Sequence, residues 1–212
     1  MEYPILYSFR RCPYAMRARI ALRYSKISYI HREIKLSNRP KELYDISSKG
    51  TVPVLLNIDG NVIDESMDIM YFALNYKDPK NWFKTNINKQ NKLIKRNDSQ
   101  FKKSLDKYKY HVRFKQNTYE FYQDSMAKFL REYDFVLKNQ KYLINENISL
   151  ADIALFPFIR QCAHVDLNWF QNNFKNLSAW LEDFKTSDLF SSIMIKYEIW
   201  YSGDKSLIID NE

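Results

Sequence analysis

Residues 5–22, with the sequence ILYSFRRCPYAMRARIAL, constrain the fold more than any other stretch. Ile5 to Tyr7 form a short apolar run that is typical of a buried strand. Pro13 stands where a helix can begin, and apolar residues follow it at helical spacing, namely Ala15, Ala18 and Leu22. This order predicts a strand, a turn and a helix, with Cys12 immediately before the first helical turn.

The position of Cys12 predicts a reactive thiol. Unpaired N–H groups and the positive end of the helix dipole face a residue that precedes a helix. Together with Arg10 and Arg11, this setting should lower the pKa of the thiol from its usual value of about 8.5. The alternative is that Cys12 is a small core residue. A cysteine between arginines and a helix-opening proline is badly placed for an apolar core, so we favour the reactive interpretation.

Composition restricts the class of protein. The chain has 212 residues, of which 45% are hydrophobic, enough for one large or two small folded domains. Its two cysteines, Cys12 and Cys162, give neither a disulfide framework nor a zinc pattern, and we expect no metal. Cys162 lies among apolar residues and is predicted to be structural. We see no secretory signal and no membrane-spanning segment, and we therefore expect a cytoplasmic protein without a membrane partner.

The formal net charge of +8 is concentrated in one segment. Residues 88–115 contain ten Lys or Arg and two Asp, and the rest of the chain is balanced. Such a segment could bind nucleic acid or another acidic partner. It could also be the solvated face of a long helix whose apolar residues turn inward, namely Leu93, Phe101, Leu105 and Tyr108. No nucleic-acid motif accompanies it, so we favour the solvated helix.

The rest of the N-terminal third predicts an α/β unit. Strands are expected at 28–35, 54–56 and 62–63, the last two joined by a turn at Asp59-Gly60. His31 lies in the second strand and receives no role. A helix is expected over 67–75, with Ser66 as its N-cap. The β-α-β order followed by a hairpin and a helix predicts a thioredoxin-like domain.

The remainder is predicted to be helical. We expect domain 1–77, a linker over 78–88 and an all-helical domain over 89–212. The expected helices are 89–111, 117–138, 149–166, 177–186 and 188–197. Ser149 and Asp152 form a predicted capping box before an apolar run. The sequence of residues 203–212 gives no clear indication of secondary structure or function.

Together these motifs resemble the cytosolic glutathione transferase superfamily. The likeness rests on RCPYAMRAR, Arg39-Pro40, TVPVL, Glu65-Ser66 and SLAD, in that order. Within this superfamily, the chain most resembles the cysteine-type branches, namely the omega-like transferases and the two-domain glutaredoxin relatives, and it looks like a bacterial-type member of them. The resemblance implies an α/β plus all-α fold, with a thioredoxin-like N-terminal domain followed by an all-helical C-terminal domain. It also implies a homodimer.

The resemblance assigns roles to particular residues. It makes Cys12 the nucleophile and gives glutathione binding to five residues: Arg39, Val52, Pro53, Glu65 and Ser66. Val52 would pair its backbone with the cysteinyl unit of glutathione before the family's cis-proline at Pro53. Glu65 would attract the ammonium of the γ-glutamyl end, while Ser66 and the following helix would receive its carboxylate. Arg39 stands where omega enzymes carry lysine and would clamp the glycyl carboxylate.

The second-substrate site is expected in the helical domain, and we assign Tyr108, His111 and Phe114 to it, although core packing or exposure is an open alternative for each. Tyr7, the candidate for a tyrosine-type mechanism, is interpreted as a packing residue.

The implied function is that of a glutathione-dependent thiol transferase or reductase, with glutathione as cosubstrate. Ala15 stands where dithiol glutaredoxins have a second cysteine, so a monothiol route through a mixed disulfide is expected. Two alternatives stay open. One is conjugation or isomerisation of an electrophilic small molecule by a glutathione S-transferase, and the other is a non-catalytic interaction module.

Overall fold

The computed structural model describes residues 2–211. These residues form two compact units. Within the described residues, the first unit comprises 2–80 and 187–211, and the second comprises Asn81–Thr186.

A five-stranded sheet organises the first unit. In chain order, its strands are β1 (Ile5–Ser8), β2 (Tyr29–Glu33), β3 (Val54–Leu56), β4 (Val62–Ile63) and β5 (Leu207–Ile209). Their spatial order is β4-β3-β1-β2-β5, with β1 parallel to β2 and the other pairs antiparallel. All four residues of β1 are buried, which agrees with its central place and its continuous apolar run.

Ten α-helices complete the described chain. They are α1 (Pro13–Tyr24), α2 (Lys41–Ile46), α3 (Ser66–Tyr76), α4 (Ile87–Arg96), α5 (Lys102–Lys109), α6 (Tyr119–Leu137), α7 (Leu150–Ala163), α8 (Leu167–Asn173), α9 (Lys175–Lys185) and α10 (Asp188–Ile193). A π-helical turn over Asn97–Phe101 joins α4 to α5. Pro13 occupies the first turn of α1, as predicted, and small residues such as Ala15 and Ala18 let the helix pack closely in the interior.

The C-terminal segment departs from the predicted domain boundary. The sequence predicts that residues 187–212 belong to the helical domain, whereas the contacts of the described residues 187–211 join them to the first unit. Helix α10 packs against α1, and β5 pairs with β2 so that Tyr29 lies opposite Ile209. The physical reason is that β2 would otherwise present an unpaired edge, and β5 satisfies its backbone groups. Such long-range pairing leaves no local sequence signal.

The second unit is helical, and the basic segment 88–115 supplies part of its core. Phe101, Leu105 and Tyr108 are fully buried, while most of the lysines are exposed, so the prediction of a helix with a solvated basic face is confirmed. The capping box at the start of α7 is also confirmed: the Ser149 hydroxyl accepts a hydrogen bond from the N–H of Asp152, whose carboxylate accepts one from the N–H of Ser149. Among residues 2–211, no helix has the length and apolarity needed to cross a membrane.

Candidate functional site

A cavity of about 370 Å³ in the first unit contains all six residues that the resemblance places at the nucleophile and glutathione sites. They are Cys12, Arg39, Val52, Pro53, Glu65 and Ser66. They come from the turn before α1, the segment before α2, the residues before β3 and the start of α3. The topology brings these four chain segments to one place because β1 and β3 are neighbours and α1 packs against α3.

Cys12 is held at the junction of a turn and a helix. Its N–H donates to the Phe9 carbonyl at 3.0 Å, and its own carbonyl accepts from Met16 N at 2.9 Å, the first hydrogen bond of α1. The side chain is half-buried, and Sγ lies 3.6 Å from the Val52 carbonyl oxygen, to which the protonated thiol donates. The thiol therefore faces the segment that resembles the backbone-pairing site for glutathione.

The expected low pKa of Cys12 is not found. Burial raises the pKa of the thiol, and this effect exceeds the lowering by the N–H groups of Ala15 and Tyr14 and by the charges of Arg19 and Arg17. The prediction was wrong because it considered the helix terminus and the neighbouring charges but not the desolvation of a half-buried side chain. It also relied on Arg11, whose side chain is exposed to solvent.

The Val52–Pro53 peptide bond is cis, and strand β3 begins only at Val54. The pairing of β3 with β1 ends at Val54 opposite Tyr7, so the Val52 backbone lies outside that ladder. The preceding turn requires Gly50, which has φ +57° and lies so close to the Tyr44 ring that a Cβ would meet a ring carbon at 2.3 Å. A glycine at this position thus permits the approach of the 51–53 segment to Cys12.

Glu65 and Ser66 lie at the N-terminus of α3, where one local prediction was wrong. Ser66 is the first residue of the helix, and its side chain is not a cap. Its hydroxyl is buried and accepts hydrogen bonds from Nε and Nη2 of Arg17, at 3.0 and 2.9 Å. Arg17 therefore links α1 to α3 beneath the cavity. The sequence analysis missed this role, although the RCPYAMRAR motif contains the residue.

Lys49 is a second residue that sequence reasoning missed. Its ammonium lies 2.6 Å from Glu65 Oε1 and 3.1 Å from Asp64 Oδ1. These two carboxylates raise the pKa of Lys49. Glu65 remains exposed, and Arg39 is exposed at the cavity wall just before Pro40. The cavity thus presents both signs of charge, with carboxylates at the start of α3 and a guanidinium before α2.

Tyr7 is unsuited to act as a hydroxyl catalyst. It is buried, its hydroxyl accepts a hydrogen bond from Arg32 Nη1, and its ring packs edge-on against Trp200. Burial raises the pKa of the phenol. The interpretation of Tyr7 as a packing residue is confirmed.

The residues assigned to the second-substrate site lie together in the second unit. Tyr108 is fully buried and shares a hydrogen bond of 3.1 Å with the Tyr119 hydroxyl, so it packs in the core and does not line an open surface. Core packing, the alternative left open for this residue, agrees with its burial. His111 and Phe114 are half-buried, and the His111 ring lies 4.9 Å from that of Tyr119.

Cys162 is buried, and burial strongly raises the pKa of its thiol, as expected for a structural cysteine. Among residues 2–211, no group of three or more His, Cys, Asp or Glu side chains is placed to hold a metal ion.

Comparison with known families and proteins gives consistent matches. The glutathione S-transferase N-terminal domain matches residues 6–80, and the glutathione S-transferase C-terminal domain matches residues 65–188. A probable glutathione transferase of Aplysia californica is 31% identical over 85 residues, which are 40% of this chain and 92% of that protein. Omega-1 glutathione S-transferase of Rattus norvegicus is 37% identical over 62 residues, which are 29% of this chain and only 26% of that protein.

Solved structures give the same fold. Poplar glutathione transferase F1 superimposes with a TM-score of 0.76 at 17% identity, covering 92% of this chain and 97% of that one. A glutathione S-transferase of Methylobacillus flagellatus KT, solved with GSH bound, gives a TM-score of 0.74 at 18% identity, covering 90% and 98%. The predicted fold class, a thioredoxin-like α/β domain followed by a helical domain, is confirmed.

Proposed function

Since this chain belongs to the glutathione S-transferase family and is an enzyme of that family, we propose that it is a glutathione-dependent thiol transferase with Cys12 as nucleophile. The observation that carries the proposal is the position of the Cys12 thiol. It lines the same cavity as Val52, Glu65 and Ser66 and contacts the Val52 carbonyl directly. A nucleophilic sulfur thus lies where the cysteinyl unit of a bound glutathione would pair with the backbone.

The cavity can recognise the two charged ends of glutathione. Glu65 would attract the γ-glutamyl ammonium, and the N-terminus of α3 with the Ser66 hydroxyl would receive the adjacent carboxylate. Arg39 would bind the glycyl carboxylate as a guanidinium clamp. The Val52 backbone, which the β1–β3 ladder leaves unused, would pair with the cysteinyl unit.

The reaction proceeds in two exchanges. The Cys12 thiolate attacks the glutathione sulfur of a substrate mixed disulfide, forms a disulfide with glutathione and releases the substrate thiolate. A second glutathione, as thiolate, then attacks the glutathione sulfur of that adduct, which releases glutathione disulfide and regenerates Cys12. No second cysteine is required, in keeping with Ala15 at the resolving position.

Conjugation of glutathione to an electrophile is the second candidate, and the pKa of Cys12 favours it. Because burial raises this pKa, the thiol is largely protonated at neutral pH and can donate a hydrogen bond. A protonated Cys12 could then stabilise the thiolate of glutathione, while glutathione itself attacks the electrophile.

A paired assay separates the two candidates. Wild type, Cys12→Ser and a matched Cys162→Ser control are tested for reduction of the mixed disulfide of glutathione and 2-mercaptoethanol, and for conjugation of 1-chloro-2,4-dinitrobenzene. Intact mass then detects a glutathione adduct. Thiol transfer predicts reductase activity and an adduct in wild type and Cys162→Ser, both lost in Cys12→Ser. Conjugation that survives in Cys12→Ser, without an adduct in wild type, would overturn the thiol transferase proposal.

A further inference from the structure

Two buried side chains, those of Glu33 and Arg19, form hydrogen bonds to the backbone of the turn that precedes Cys12. The N–H of Arg10 donates to Glu33 Oε1 at 2.7 Å, and the Arg10 carbonyl accepts from Arg19 Nη2 at 2.8 Å. Arg19 Nη1 also lies 3.4 Å from the carbonyl of Phe9. This is the same carbonyl that accepts the N–H of Cys12. One carboxylate and one guanidinium therefore fix both peptide groups that flank Arg10, two residues before the thiol.

Arg19 is a buried cation that makes no direct ion pair among the described residues. Its side chain is almost fully buried, with a relative exposure of 2%, and in the described part of the chain no carboxylate oxygen lies within 4 Å of it. Nη1 donates to the Ser8 hydroxyl, whereas Nε has no hydrogen-bond partner. Buried charges are normally paired, so an unpaired guanidinium at this place calls for an explanation beyond packing.

Glu33 is held in place by a third group. Its Oε2 lies 3.0 Å from Nε2 of His31, which is buried. Burial lowers the pKa of His31, so the ring is neutral at pH 7 and donates Nε2–H to the carboxylate. Both oxygens of Glu33 are therefore occupied, one by the turn and one by His31. The Glu33 carbonyl in turn accepts from Trp200 N at 2.8 Å, which ties the C-terminal segment to the same strand.

We infer that Arg19 and Glu33 are positioning residues for Cys12, with Arg19 holding the turn and supplying the interior positive charge that favours the thiolate. The inference rests on the proposed function, in which Cys12 is the nucleophile. The charges that act on Cys12 come from Arg19 and Arg17 of α1. The titratable groups that interact with Arg19 are Cys12, Tyr29 and Glu33 of β2, and Tyr197 of the C-terminal segment.

The test compares Arg19→Met with Arg23→Met. Arg23 lies one helical turn further along α1 and donates to the Asp210 carbonyl and to Asn211, so it controls for loss of an arginine from the same helix. The rate of Cys12 alkylation by iodoacetamide is measured from pH 5 to 10 by peptide mass spectrometry, which separates Cys12 from Cys162. Urea unfolding is measured in parallel.

Arg19→Met should slow Cys12 alkylation at pH 7 severalfold and shift the profile to higher pH, since loss of the positive charge raises the pKa of the thiol and lowers its thiolate population. Arg23→Met should alkylate like wild type. Glu33→Gln should lower kcat for the mixed-disulfide substrate while the KM for glutathione stays within about twofold, because Glu33 is not among the residues lining the glutathione cavity.

A folded Arg19→Met with the wild-type alkylation profile would overturn the inference. If Arg19→Met does not fold, the alkylation of Arg19→Lys is measured in its place. This second variant keeps the charge but loses the planar fork, and an unchanged alkylation rate at every pH would overturn the role of Arg19 in holding the turn. Alkylation needs no glutathione. An effect of Arg19→Met in a protein without reductase activity would therefore refute the proposed function while still showing that Arg19 controls the reactivity of the Cys12 thiol.

Discussion

The contact between Arg17 and Ser66 gives a quantitative prediction about the stability of the structure around the Cys12 cavity. Two N–H groups of a buried guanidinium donate to one hydroxyl oxygen, at 2.9 and 3.0 Å, and join α1 to the first residue of α3. A hydrogen bond to a charged group contributes about 1.5–3 kcal/mol. We therefore expect Ser66→Ala to lower the free energy of unfolding by about 2 kcal/mol. At a urea m-value of about 2 kcal/mol per M, the midpoint falls by roughly 1 M.

The assay is urea unfolding followed by far-UV circular dichroism, arranged as a double-mutant cycle with Arg17→Met. Ser48→Ala, at an exposed serine of the preceding connection, is the matched control and should leave the midpoint unchanged. The coupling energy between Arg17 and Ser66 should be about 1.5 kcal/mol or more. A coupling below about 0.5 kcal/mol would refute the reasoning, since the two side chains would then contribute independently.

The same substitution also tests glutathione binding. Under the proposed function, the Ser66 hydroxyl receives the γ-glutamyl carboxylate, so Ser66→Ala should raise the KM for glutathione by about tenfold, the equivalent of about 1.4 kcal/mol. An unchanged KM would remove Ser66 from the glutathione site.

Three further predictions concern the thiol, the helical unit and the carboxylate pair. Because burial raises the pKa of Cys12, its alkylation in the absence of glutathione should still be rising with pH at about 8.5, the usual thiol pKa, and a plateau near pH 7 would contradict this. Asp152→Ala leaves two backbone N–H groups and an indole N–H without their buried acceptor and should cost on the order of 3 kcal/mol of unfolding free energy. Asp166 is the N-cap of α8 and accepts a hydrogen bond from Trp169 N, so Asp166→Ala should lower the free energy of unfolding by only about 1 kcal/mol. Equal losses of unfolding free energy in the Asp152→Ala and Asp166→Ala variants would contradict this account. Under the proposed function, Lys49→Met should lower the KM for glutathione about twofold, because Lys49 competes with the ammonium for Glu65, and it should leave the urea midpoint unchanged because exposed ion pairs contribute little to stability. A raised KM would show that Lys49 binds glutathione instead of competing with it.

Structural elements whose causes are local could be predicted from the amino-acid sequence. The apolar run of β1, the proline at the start of α1 and the turn at Asp59-Gly60 act over a few residues, and each appears where it was predicted. The capping box at Ser149 is local in the same sense. The family resemblance carried by the RCPYAMRAR, Arg39-Pro40, TVPVL and Glu65-Ser66 motifs also identified the six residues that share one cavity.

Tertiary structure alone decided what depends on burial and on distant partners. The pKa of Cys12 rises because packing removes water from the thiol, and desolvation cannot be derived from the neighbours of a residue in sequence. The Ser66 hydroxyl serves Arg17, 49 positions away, instead of capping its own helix. The C-terminal residues 207–209 become a strand only because β2 offers an unpaired edge. In each case the deciding energy comes from a group that folding brings close and that the local sequence does not contain.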